Sequence, residues 1–228
     1  MQTGSITEQV DSGEFDLMLP PSGQVIAQNV RWQTFLSRND WEHVEWVEGW
    51  VVTMPGIELA HDRLNSFLRI FLTAFLQAAG IDGKLFQDPV LVRLKNVNVG
   101  RAPDVMLFLP DNDAVFEHNV VIGSPDLVIE IVSPQGERRD RVEKFREYER
   151  AGVLEYWILD YQFREAAFYQ LDQDGLYHRA PLDENGMYVS RVLPQLRFEP
   201  AMLWREPLPT LREILNVVEA MVGDVTAG

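Results

Sequence analysis

Apolar residues in this chain follow two rhythms. From His61 to Ala79 they recur every third or fourth position, at Leu64, Phe67, Leu68, Phe71, Leu72, Phe75 and Leu76. That spacing lays one wide stripe along an α-helix, and Gly80 supplies its stop. His61 lies one step before the stripe on the same face, so the helix aims it at the sheet the stripe covers. Elsewhere β-branched and aromatic residues come in short runs, which predict strands. Val44 to Met54 reads as a hairpin, Glu45 to Val47 turning at Glu48-Gly49 into Trp50 to Met54. Lys84 to Leu94 reads as a strand pair, and single strands are expected over Pro103 to Leu109, Asp126 to Val132 and Val153 to Leu159. Further helices are expected over Val30 to Ser37, Asp140 to Ala151 (ended by Gly152) and Thr210 to Val222. Arg164 to Val192 has the turn signals Gln173-Asp174-Gly175 and Asn185-Gly186 of an antiparallel meander. Residues 1–25, with Pro20-Pro21-Ser22-Gly23, lack a period and are expected to form a partly ordered acidic arm; residues 26–228 then make a single domain. The element order predicts an α/β fold, a mixed β-sheet flanked by helices with an added antiparallel meander.

One strand breaks its own pattern. In Pro125-Asp126-Leu127-Val128-Ile129-Glu130-Ile131-Val132-Ser133-Pro134 both faces should be covered by protein, yet Glu130 stands in the middle. A buried ionised carboxylate costs several kcal/mol or more unless a cation, a metal or strong donors meet it. A second acid, Asp104, opens a similar run, Val105-Met106-Leu107-Phe108-Leu109. If the two strands are neighbours at matching height, the carboxylates converge on one point, and a divalent cation is its favourable occupant.

Composition narrows the setting. The 228 residues contain no cysteine, which excludes disulfides and thiolate metal sites and suits a cytoplasmic location. No apolar run approaches the roughly 20 residues of a membrane span, and no membrane partner is expected. The formal charge is −15, from 35 acids against 20 Lys and Arg, which argues against broad, sequence-independent adhesion to nucleic acid. A local basic stretch remains: Arg138, Arg139, Arg141, Lys144, Arg146 and Arg150 slightly outnumber the acids between Glu137 and Arg150. It is the best place to meet an anion, though a solvated helix face has the same look. No Gly-rich phosphate loop, zinc-spaced histidine pair or Gly-x-Ser-x-Gly elbow is present.

The Pro103-Asp104 step followed by an acid in an apolar strand resembles the PD-(D/E)XK nuclease superfamily. A longer string is more specific: Pro125 to Pro134, then Asp140, Lys144, Tyr148, Ala151-Gly152-Val153, Glu155-Tyr156-Trp157 and Asp160, with Glu45, Gly49 and His61 upstream. This resembles the Uma2 family of restriction-endonuclease-like proteins, earlier a domain of unknown function, over about Val30 to Pro200. The resemblance implies a restriction-endonuclease-like core. One position departs from the superfamily: Val132 stands where its strand lysine would be. In Uma2-like chains the proposed substitute comes from the following helix, and here it is Lys144, on one helical face with Asp140 and Tyr148.

The resemblance implies that Asp104, Glu130 and the Ile131 backbone carbonyl hold Mg²⁺ or Mn²⁺, and that Lys144 orients or deprotonates the attacking water or steadies the pentavalent intermediate. Glu45, His61 and Tyr148 are auxiliary candidates; Arg101, Arg138, Arg139 and Arg141 are candidates for substrate contact. The implied activity is DNA phosphodiester hydrolysis; a homodimer is expected separately, because symmetric dimers are common among soluble proteins and would let two sites address two strands. Each residue also has a plainer reading: Glu130 as the partner of Lys144 or Arg101 in a structural ion pair, His61 as a core histidine. Two alternatives therefore stand beside the nuclease, a non-catalytic binding module of the same fold and a hydrolase of small phosphoesters.

Overall fold

The computed structural model describes residues 20–38, 40–54, 56, 58–133 and 136–223. Most of the N-terminal arm, residues 1–19, and Pro134 lie outside them. In chain order the elements are β1 (Val25–Ala27), α1 (Trp32–Ser37), β2 (Val44–Val47), β3 (Trp50–Thr53), α2 (Leu59–Ala78), β4 (Lys84–Phe86), β5 (Leu91–Leu94), β6 (Val99–Arg101), β7 (Val105–Phe108), β8 (Val115–Phe116), β9 (Val120–Ile122) and β10 (Leu127–Val132). Then come a π-helical segment (Arg139–Lys144) running into α3 (Phe145–Ala151), β11 (Glu155–Asp160), β12 (Glu165–Leu171), β13 (Tyr177–Arg179), β14 (Tyr188–Val189), β15 (Arg197–Phe198) and α4 (Leu211–Gly223).

The expected single mixed sheet is two stacked ones. One runs β1-β3-β2-β6-β5-β9-β8, the other β13-β12-β11-β10-β7-β4. Lys84 to Leu94 is therefore no strand pair: β4 joins β7 in the second sheet, and β5 joins β6 and β9 in the first. Alternation along a short strand shows which faces are apolar but not which neighbour covers them. The meander splits similarly, β12–β13 extending the second sheet while β14 pairs only with β15.

Three apolar clusters define the layers. The stripe of α2 packs with Ile214, Val218 and Met221 of α4 on the Leu127, Ile129 and Ile131 face of the second sheet. The opposite face of that sheet, with Met106, Val128, Val132 and Ile158, meets Val52, Leu94 and Val99 of the first sheet and Tyr148 of α3. A small third cluster gathers Phe35 of α1 with Val44, Trp46 and Val51 on the outer side of the first sheet, half-buried Trp41 packing against it. The β2–β3 hairpin turns where expected, Glu48 and Gly49 both having positive φ (+49° and +91°) as a type I′ turn requires.

At the centre, β10 runs parallel to β11 and antiparallel to β7. Its register with β7 pairs Leu127 with Leu107, Val128 with Met106 and Ile129 with Val105. Continued by one residue, that register sets Glu130 across from Asp104.

A second buried acid has a structural task. Glu155, at the start of β11, is fully enclosed. Its carboxylate accepts from Trp157 Nε1–H (2.6 Å), the Tyr188 hydroxyl, Ser190 Oγ–H (2.9 Å) and the N–H groups of Arg191 (2.8 Å) and Val192 (3.0 Å). It thereby ties the segment around β14 to the main sheet. Glu155→Gln turns one acceptor into a donor facing donors, and is expected to lower stability by about 2–3 kcal/mol in urea denaturation.

Candidate active site

The acid opposite β10 is held from two sides. Asp104 Oδ2 accepts the Ile131 N–H at 2.6 Å, and Oδ1 lies 3.1 Å from His61 Nε2, which the first turn of α2 delivers. Glu130 is equally engaged: Tyr148 O–H donates to Oε1 at 2.7 Å and Lys144 Nζ sits 2.8 Å from Oε2. Lys144 also stands 3.4 Å from Asp140 and 3.6 Å from Glu45. The helix that sequence periodicity assigns to Asp140–Ala151 begins as the π segment, whose i→i+5 spacing turns Arg139, Asp140 and Lys144 all inward. Those three side chains are buried despite their charge.

Asp104, Glu130, Ile131, Asp140, Lys144 and His61 line one cavity of about 50 Å³, together with Asp88, His43 and Arg139. That volume admits a few water-sized groups. Burial leads the electrostatics. It pushes the Glu130 carboxyl up to about 8 against the pull of Lys144, and Asp104 and Asp140 push it further the same way. Burial likewise lifts Asp140 to about 6 and raises Asp88. Glu45 goes the other way: burial would raise it, but Lys144, Arg101 and Arg139 hold it at about 2. Burial would lower Lys144, yet Glu130, Glu45 and Asp140 raise it above the ordinary lysine value, so it is an ammonium. Burial opposes charging His61, but the hydrogen bond to Asp104 together with the charges of Asp104, Asp140 and Asp88 outweighs it, raising the imidazole.

The residues fit a divalent cation in donor chemistry. Four carboxylates, Asp88, Asp104, Glu130 and Asp140, face two cations, Lys144 and Arg139, across the cavity. Asp88 Oδ1 and His61 Nδ1 are buried without a partner. Hard oxygen donors suit Mg²⁺ or Mn²⁺, whose charge would also draw the proton from Glu130. Among the described residues, however, no group of three or more His, Asp or Glu is already arranged around one such point.

The structure brings Asp104, Glu130, Ile131, Lys144, His61 and Tyr148 together, with Glu45 behind Lys144. It separates the arginines expected at substrate. Arg101 is fully buried, donating to Glu147 through Nε (2.7 Å) and Nη2 (2.6 Å) and to Glu45 through Nη1 (2.7 Å). Its charge is absorbed inside the protein, so it presents no donor to a substrate. Arg139 donates from Nη2 to the carbonyls of Ser22 (2.7 Å) and Thr53 (2.9 Å). Gly23 lets it pass, since a Cβ there would fall 2.1 Å from Nη2. Arg141 is paired with Asp160 at 3.0 Å, with Glu137 and Glu165 within 4 Å. Arg138 alone of the four is solvent-exposed, 3.6 Å from Glu143. Of the residues sequence reasoning left out of the site, Asp140 was signalled by its four-residue spacing from Lys144, whereas His43 and Asp88 arrive from loops with no local signal.

The fold is that of a mixed α/β protein whose two stacked sheets meet at this cavity. Among solved structures the chain is similar to one from Anabaena variabilis ATCC 29413 described as a "putative nuclease belonging to DUF820", at 16% identity and a TM-score of 0.57, over 82% of this chain and 97% of that one; the likeness shows the fold. The sequence profile described as "Uma2: Putative restriction endonuclease" matches residues 27–201, and the chain belongs to this family. No curated protein matches it.

A pH dependence follows from Glu130. Its folded value of about 8 lies above the ordinary 4.5, so the folded state binds the extra proton between these limits and stability falls as pH rises. The contribution is complete below about pH 4.5 and lost above about pH 8. Chemical denaturation in EDTA is expected to show wild type losing roughly 1–4 kcal/mol across that window relative to Glu130→Gln, whose neutral amide removes the titration.

Proposed function

We propose that the protein is a divalent-metal-dependent endonuclease hydrolysing DNA phosphodiester bonds. The carrying observation is that Asp104 and Glu130, 26 positions apart in sequence, line one small cavity with the Lys144 ammonium between Glu130 and Asp140. Asp104, Glu130 and Ile131 would hold Mg²⁺ or Mn²⁺, which when bound lowers the pKa of a coordinated water and offsets charge on the phosphate. His61 Nε2 fixes the Asp104 carboxylate, and Tyr148 fixes that of Glu130. Lys144 is a donor rather than a base, because it keeps its proton; it orients the water and meets charge developing on the phosphoryl oxygens. Asp140, at about 6, has the proton affinity to take the water's proton near neutral pH. Attack forms the new P–O bond as the strand's P–O bond breaks, and the leaving oxygen takes a proton from solvent. The homodimer and the cytoplasmic location belong to this proposal. No helix among the described residues is long and apolar enough to cross a membrane.

Incubation with single-stranded, duplex and branched DNA in Mg²⁺ or Mn²⁺ is expected to give cleavage that Asp104→Ala and Glu130→Gln each reduce by at least about 100-fold. Cleavage indifferent to both variants would reject this site.

One observation favours a second reading, a binding module with the fold but no catalysis: Glu130 already has Lys144 and Tyr148 as partners. Titration calorimetry separates the two. A metal site takes up Mn²⁺ in wild type and not in Glu130→Gln, whereas a purely structural pair takes up none in either.

A further inference from the structure

A larger pocket of about 390 Å³ adjoins the acidic cavity, and His43, Met54, Asp88 and Ala102 line both. Its size is within the range of small-molecule sites, roughly 300–1,000 Å³. The walls are aromatic and apolar, with Phe35, Trp41 and Leu91; the Arg38 guanidinium lies 4.7 Å over the Trp41 ring. Polar groups enter at the edges, Asn119 on one side and Asp88, whose Oδ1 has no partner, at the seam with the cavity. His43, also at the seam, holds a left-handed backbone (φ +50°), and its carbonyl accepts from Met54 N–H at 2.8 Å. Residues kept in such sparsely populated conformations cluster at ligand sites.

Charge selects the occupant. Arg38 is already held by Asp40, donating to its two oxygens at 2.7 and 2.6 Å, and Glu42 and Asp88 also line the pocket, so it offers a phosphate no net attraction. It suits a flat, neutral ring with polar edges. Duplex contact along the basic run from Arg138 to Arg150 is thinned, because Arg139 and Lys144 are buried and Arg141 is paired with Asp160, which leaves Arg138, Arg146 and Arg150 exposed there.

We propose that this pocket receives one unpaired nucleobase, stacked on the Trp41 wall, of a single-stranded nucleic acid whose adjoining phosphate reaches the Asp104–Glu130 cavity. The substrate class is thus single-stranded rather than duplex. This rests on reading the cavity as a phosphodiesterase site. Stacking supplies affinity that a protein of charge −15 cannot draw from phosphate contacts.

The test is fluorescence anisotropy of the full chain in Ca²⁺ with a labelled single strand of about 12 nucleotides, its duplex, and strands carrying one abasic position. The single strand is expected to bind at least about tenfold tighter than the duplex. One abasic position is expected to cost about 5- to 100-fold with wild-type protein. Trp41→Ala should show the same loss on the intact strand and little further loss on the abasic one, whereas Trp41→Phe should bind nearly as wild type. The abasic series needs no variant, so misfolding of Trp41→Ala cannot mask the result. Equal affinity for duplex, or intact-strand binding indifferent to every abasic position, overturns the pocket assignment. Stacking that depends on Trp41 without cleavage in Mg²⁺ or Mn²⁺ upholds the pocket and removes the hydrolase. Cleavage that needs Asp104, alongside base-independent binding, does the reverse.

Discussion

The site depends on one buried ammonium. Lys144 Nζ lies 2.8 Å from Glu130, 3.4 Å from Asp140 and 3.6 Å from Glu45. At such distances a unit charge pair is worth about 4 kcal/mol at an effective dielectric constant near 20. Without that charge Glu130 and Asp140 would be driven further toward protonation, and Glu45 would keep only Arg101 and Arg139 to hold it ionised. The lysine is therefore both the compensation that lets the acids be buried and the donor they hold ready.

A second tier of ion pairs fixes the first. Arg101 on β6 binds Glu45 on the adjacent β2 and Glu147 on α3, so the first sheet and the helix carrying Lys144 are joined through a guanidinium with no exposed surface. Arg139 reaches the carbonyls of Ser22 and Thr53 and lies 3.8 Å from Glu45. Breaking a buried pair of this kind costs more than forming it gains. The network's value is in placing charges where the chain could not hold them singly, at the junction of two sheets and a helix.

The same geometry accounts for the displaced lysine. Position 132 lies on the β10 face shared with Val128 and Glu130, and Val132 is buried in the core between the sheets. An ammonium there would sit in an apolar layer. The helix supplies it instead, because the π segment turns Lys144 inward onto Glu130 from above the strand. Four basic side chains, Arg93, Arg101, Arg139 and Lys144, are thus buried, while the acidic balance of the chain leaves recognition of any polyanion to local contacts.

Several features follow from the linear pattern alone. The stripe of α2 needs no partner to be read, because a 3.6-residue period survives whatever it packs on. The Glu48-Gly49 turn, the stop at Gly152 and the anomaly of Glu130 are local in the same sense, as is the Asp140, Lys144, Tyr148 spacing that marks the inward face of α3 and its π segment. Strand partnership is different. Whether β4 and β5 pair with each other or belong to two stacked sheets depends on contacts distant in sequence, and identical short apolar runs satisfy both. So does the fate of a charge: Arg101 and Arg138 look alike as letters, yet burial between Glu45 and Glu147 makes one a structural tie and leaves the other in solvent. Periodicity marked α2, the β2–β3 hairpin, the central strands and the anomaly of Glu130, but not the short strands β1, β6, β8 and β9; only the tertiary structure decided which charges neutralise which, because Coulomb energy depends on separation and burial, neither of which is written in the order of residues.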